Sequence, residues 1–160
     1  MMKELTGFQA ALRAEHAAVY GYGVVGGRID EDRKAEVREC YDAHRSRRDA
    51  LRRTIHSLGG DPEPAEPAYT LPFAVPDSDA AVRLAAQLED RLAGVYADLV
   101  RASEGARRRA AADALREAAV RSVRWKGSGV AFPGLAELGA GEAPAAPSDE
   151  PGGSHAPGAL

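Results

Sequence analysis

The stretch from Gly59 to Asp77, "GGDPEPAEPAYTLPFAVPD", holds five prolines in nineteen residues. Proline lacks a backbone donor and its ring clashes with the preceding helical turn, so this stretch cannot carry a helix. Upstream of it, Leu5, Phe8, Leu12, Glu15, Val19, Tyr22 and Gly26 recur at alternating intervals of three and four, the stripe of a bundle helix over about 5–28. "GGRID" follows, with Asp30 as an N-cap. Val37, Tyr41, His44, Leu51, Ile55 and Leu58 then form a second stripe, predicting a helix over about 31–58 that stops at Gly59-Gly60. Downstream, Val82, Ala85, Leu88, Leu92, Tyr96 and Leu99 predict a third helix over about 78–103. After "SEGA", a fourth over about 107–126 carries Ala111, Leu115, Ala118, Ser122 and Trp125.

The length of the interruption decides how these helices connect. A helix of about 27 residues is roughly 40 Å long, and nineteen extended residues reach about 60 Å. Segment 59–77 can therefore run back along the whole bundle, and helix three can begin at the level where helix two began. Two tight antiparallel hairpins joined by one long crossover is the arrangement of ferritin-like four-helix bundles; an up-down-up-down bundle with a slack loop is the alternative. The expectation is thus all-α, a ferritin-like four-helix bundle over residues 1–135 with its crossover at 59–77. "GSGVAFPGL" reads as an extended flap, and 136–160, rich in Gly, Pro, Ala and Ser, as a disordered tail.

Composition narrows the function classes. At 160 residues the chain has room for one domain, and its apolar content is mostly Ala, Leu and Val, which suits closely packed helices. A formal charge of −3 argues against a dedicated nucleic-acid binder. The arginine runs of helices two and four keep a nucleic-acid-associated role only as the weakest reading. Cys40 is the sole cysteine, so an internal disulfide, a thiolate zinc cluster and CxxC redox chemistry are all excluded, and Cys40 reads as a small buried hydrophobe. The N-terminal residues lack a continuous apolar h-region, and no apolar run approaches the ~18 residues of a bilayer span. A soluble cytoplasmic protein without membrane contact is expected.

Gly21-x-Gly23-x-x-Gly26 has the spacing of a dinucleotide loop, but such a loop needs a strand running into it, and "FQAALRAEHAAVY" is helical throughout. The spacing is a coincidence. Angular position puts Gly23 and Gly26 inward, allowing a neighbouring backbone to approach, and Gly21 on the outer side.

Bundle proteins build function from polar side chains turned into the core. At about 100° per residue, Glu15 lies within about 40° of the centre of helix one's apolar face, His44 near the centre of helix two's, and Glu89 about 60° from the centre of helix three's. Glu15 and His44 are nearly equidistant from the turn near residues 29 and 30, so they should meet at mid-bundle. A buried carboxylate needs a partner; His44 is the obvious one and Arg48 another. With Tyr41 and Ser122 these residues form the expected buried polar network. Tyr20, Tyr22, Tyr41 and Tyr96 read first as core tyrosines, and His16 as a half-buried residue bonded to a neighbour.

"AEHAAVYGYG", "HRSRRDAL", "YTLPF", "LEDRLAGVYADLV" and "AAVRSVRWKG...FPGL" together resemble an uncharacterised ferritin-like family of high-GC Gram-positive bacteria, a domain of unknown function, over about residues 5–135. Ferritin-like di-iron proteins use a Glu from each of two helices and a Glu-x-x-His from each of the other two. On that pattern Glu15 and Glu89 match the lone carboxylates. Helix two reads Tyr41-x-x-His44 and helix four Glu117-x-x-Val120, so a bridging carboxylate and a histidine are lost, and Glu117 points to solvent. The complete di-iron set is absent and a catalytic role is disfavoured. What remains is either a degenerate metal site kept as a buried structural network in a non-catalytic, partner-binding bundle, or a single Fe, Mn or Zn ion held by Glu15, His44 and Glu89. Ferritin-like proteins commonly pair their bundles, so the resemblance makes a homodimer one option, although no exposed apolar stripe demands it; an unspecified protein partner is the other.

Overall fold

The computed structural model describes residues 1–127; the expected flap beyond Gly127 and the 136–160 tail lie outside the described residues. All regular structure among the described residues is helical: α1 spans Met2–Gly26, a short 3-10 turn covers Glu31–Arg33, and α2 spans Lys34–Ser57, α3 Ser78–Ala102 and α4 Gly105–Lys126. None of these helices is long and apolar enough to cross a membrane.

Local chemistry sets the ends. Asp77, in extended backbone, caps α3 by accepting from the Ala80 amide at 2.8 Å. Helix α2 closes on Gly59, whose φ of +76° only glycine adopts freely. The Gly60 amide then reaches back to the Ile55 carbonyl and the Gly59 amide to His56, the paired bonds of a Schellman stop. Asp30 departs from its expected role. Its side chain makes no cap bond, and its backbone amide instead donates to Ser78 Oγ at 3.1 Å, so α2 begins through the 3-10 turn.

Helix α1 packs on both α2 and α3, and α3 packs on α4. Gly7 lies against Leu99 and Gly21 against Leu88, which makes α1 and α3 antiparallel. The α2 to α4 seam is joined by side chains, with Arg47 donating to Glu117 at 2.5 Å. Two apolar clusters fill the interior. One gathers Phe8, Leu12, Leu51, Ile55, Leu92, Tyr96 and Leu99; the other gathers Tyr22, Val25, Val37, Cys40, Leu84 and Trp125. Each fully buried Leu or Ile stabilises the fold by about 1.5–3 kcal/mol relative to exposure. His44 on α2 and Glu89 on α3 fall between the two clusters.

The segment between α2 and α3 lies along α1. Gly60 sits against Leu5. The Gln9 amide donates to the Asp61 carbonyl at 2.6 Å and accepts from the Glu63 amide at 3.1 Å. Further on, Arg13 pairs with the Glu63 carboxylate at 2.7 Å, and the Tyr69 ring meets Tyr20 with centroids 5.4 Å apart. Leu71, Phe73 and Val75 then pack on the second cluster.

This covering corrects the reading of the glycines. Gly21 is buried, and a Cβ there would lie 2.5 Å from Leu88 Cδ1, whereas Gly23 faces open space. Because α2, α3 and the connecting segment all cover α1, its buried arc is wider than the apolar stripe that its sequence displays.

Candidate functional site

Glu15, His44 and Glu89 come together between the clusters, with relative exposures of 1%, 2% and 0%. The imidazole stands between the two carboxylates: Nδ1 lies 2.8 Å from Glu15 Oε2 and Nε2 2.9 Å from Glu89 Oε1. Tyr96 donates its hydroxyl to Glu15 Oε1 at 2.5 Å, and Tyr22 donates to Glu89 Oε1 at 2.6 Å. The Trp125 indole N–H donates to the Tyr22 oxygen at 2.9 Å, bringing the last turn of α4 into the network. Above His44 the Tyr22 ring is stacked, with centroids 5.1 Å apart.

The electrostatics follow from this arrangement. Burial disfavours the imidazolium, but hydrogen bonds to Glu15 and Glu89 outweigh it and hold the His44 pKa up at about 9. At neutral pH both ring nitrogens therefore carry protons and both donate. Burial, reinforced by the adjacent carboxylates, pushes the Tyr22 and Tyr96 hydroxyls far above their ordinary range, so they too remain donors. Glu89 Oε2 is buried and has no hydrogen-bond partner among the described residues.

The other expected members of the network lie elsewhere. Arg48 turns away and pairs with Asp49 at 2.9 Å, because its long side chain keeps its charge near water at little cost. Tyr41 is half-buried against the second apolar cluster, with the Arg45 guanidinium 5.7 Å from its ring centre. Ser122 is buried but donates to Asp90 Oδ1 at 2.6 Å, in a separate group completed by Lys126. Glu117 is half-exposed and lies between Arg47 and Arg121. His16 is more buried than expected, its Nε2 3.1 Å from the Glu63 carbonyl oxygen. Conversely, Tyr22, Tyr96 and Trp125 are network members that the sequence presents as ordinary core residues. A pattern that marks the tyrosines is present: Glu15 and Glu89 are each followed seven residues later by a Tyr on the same helix face.

The profile of a family described as a domain of unknown function, DUF4439, matches residues 7–137. The chain belongs to this family. That DUF4439 match takes in every residue of the buried network. The DUF4439 chain is also similar to a solved structure, that of a conserved hypothetical protein, rv2844, from Mycobacterium tuberculosis. The two are 32% identical with a TM-score of 0.76, over 78% of this chain and 96% of that one. No curated protein matches the sequence.

As a set of ligands the DUF4439 trio has a particular shape. The two ring nitrogens of an imidazole diverge, and here each faces a different carboxylate, so the three side chains do not converge on one point. Among the described residues no group of three His, Cys, Asp or Glu side chains is disposed to hold a metal ion.

Proposed function

We propose that this DUF4439 domain is a cytoplasmic, ferritin-like four-helix bundle acting as a non-catalytic structural or partner-binding protein, in which a degenerate metal site persists as a charged hydrogen-bond network. The ferritin-like designation is supported by the helix neighbours, since α1 packs on α2 and α3 while α3 packs on α4. It is supported too by the connecting segment, which follows α1 from Leu5 to Tyr20. A di-iron centre does not fit these residues. It calls for two Glu-x-x-His pairs, where this chain has Tyr41 before His44 and a half-exposed, arginine-paired Glu117 before Val120.

One observation carries the structural reading: both His44 nitrogens are taken by carboxylates, at 2.8 and 2.9 Å. An imidazolium clamped in this way is a positive charge where an ion would otherwise sit. The second reading, a single Fe, Mn or Zn ion on Glu15, His44 and Glu89, draws on Glu89 Oε2, a buried oxygen without a partner among the described residues. It requires His44 to swing out from between the carboxylates. Elemental analysis of chain purified without chelator, together with its mass in solution, separates the two. The network reading expects far less than one metal per chain in both wild type and His44→Ala. A stoichiometric ion lost in His44→Ala would overturn it. The mass also decides whether the bundle pairs with a second copy or awaits a different protein partner.

A further inference from the structure

Away from the buried network, a cleft of about 310 Å³ opens between α1, α3 and the connecting segment. Its volume is at the small end of the range for small-molecule sites. Two kinds of surface line it. Tyr20, which is 37% exposed, and Tyr69 set two tilted rings along one wall, while Leu71 and Leu88 supply apolar surface beside them. Gln87 and Arg91, one turn apart on α3, bring an amide and a guanidinium to the same cleft. Neither makes a side-chain hydrogen bond or ion pair to another described residue, and no Asp or Glu lines the cleft, so Arg91 is its one charged group among the described residues.

We infer that this cleft binds a small aromatic carboxylate. The tyrosine and leucine surfaces suit a flat apolar body, for which aromatic stacking adds to simple burial. A single guanidinium balances a single negative charge and presents paired N–H donors that match a planar carboxylate, with the Gln87 amide as a further donor. A phosphate dianion would leave one charge without a counterpart. Gly21 contributes by having no Cβ: Leu88 fills that space and draws α3 close to α1 on the floor of the cleft.

The test is a calorimetric titration of the full chain with 2-naphthoate. One saturable site is expected. It should weaken about tenfold or more in Arg91→Gln, the loss that accompanies removal of one charged hydrogen-bond partner. Tyr20→Ala should weaken it comparably, and the neutral 2-naphthamide should bind wild type less well by a similar factor. Arg91 is exposed, so Arg91→Gln should leave the unfolding midpoint unchanged, whereas Tyr20→Ala should lower it modestly by losing the Tyr69 ring contact; Gln87→Ala provides a second polar deletion should Arg91→Gln perturb the fold. Absence of saturation at millimolar naphthoate, or affinity indifferent to Arg91 and Tyr20, would overturn the assignment. Decanoate binding as tightly as naphthoate would overturn its aromatic part.

Discussion

Tyr22 on α1 hydrogen-bonds Glu89 on α3 at 2.6 Å, although Glu15, two turns back on its own helix, carries the same carboxylate. The reverse bond runs from Tyr96 to Glu15. Each helix presents a Glu and, seven residues on, a Tyr. Because the helices are antiparallel, the Glu of one is level with the Tyr of the other, and His44 stands at the centre of the cross-pairing. A slip of either helix by one turn would break both bonds, so this network sets the register of α1 against α3.

Removing either hydroxyl should therefore be costly. Tyr96→Phe is expected to destabilise by about 1–2 kcal/mol, since it takes one donor from a buried carboxylate. Tyr22→Phe should cost more, about 2–3 kcal/mol, because it also leaves the Trp125 indole N–H without its acceptor. Urea unfolding of the two single variants ranks them, and equal or negligible losses would contradict this account of Tyr22.

His44→Ala leaves two buried carboxylates facing one another with no cation between them. A loss of about 3–5 kcal/mol is expected, the usual consequence of deleting one partner of a buried charge pair. Adding Glu15→Gln and Glu89→Gln to His44→Ala should recover part of it. If the triple variant is less stable than the single one, charge is not the origin of the loss.

Stability should depend on pH through His44. Its folded pKa, about 9, lies above the ordinary 6.5, so folding favours the protonated form. That contribution is fully present below about pH 6.5 and is lost as pH rises through about 9. The denaturation midpoint should decline over this window in wild type, and the decline should be much shallower in His44→Gln. A flat wild-type profile across the window would contradict a shared imidazolium.

Gly21 and Gly23, two glycines of α1 that differ in burial, should respond differently to alanine. At Gly23 nothing lies within 4 Å of the added methyl, so the gain in helix propensity, about 1 kcal/mol, should raise the melting temperature by a few degrees. At Gly21 the methyl would lie 2.5 Å from Leu88 Cδ1. Displacing that side chain should erase the gain or reverse it. Melting curves showing Gly21→Ala the more stable of the two would refute the packing argument.

Much of this was legible in the sequence because helical stripes and prolines report backbone constraints that the rest of the fold cannot override. The stripe from Val82 to Leu99 predicts a helix over 78–103, and α3 runs Ser78–Ala102. Glu15 and His44 could be placed together because angle and level are both fixed by helix geometry. Angle alone was less informative. Arg48 shares the sector of His44, yet a long cation close to the surface finds Asp49 and water sooner than it finds a core carboxylate. Tyr22 and Tyr96 were hidden for a different reason: on an apolar stripe the ring of a tyrosine accounts for its presence, and nothing local reveals where its hydroxyl goes. Trp125 depends on Tyr22 for its acceptor and was hidden with it. Gly21 was misplaced because a stripe does not record how many neighbours surround a helix.

The Gln9 amide grips the connecting segment through main-chain groups alone, the Asp61 carbonyl and the Glu63 N–H. Such a grip ignores which side chains stand at those positions, but it makes the segment a ruler. From Gln9 to Tyr20 the helix rises about 16 Å, while the six residues from Glu63 to Tyr69 span about 20 Å at full stretch. Removing two of them leaves about 13 Å, about 3 Å short of that rise, so Tyr69 would be drawn off its present place against Tyr20. Along this stretch it is the number of residues, matched to the rise of the helix alongside, that brings Tyr69 level with Tyr20.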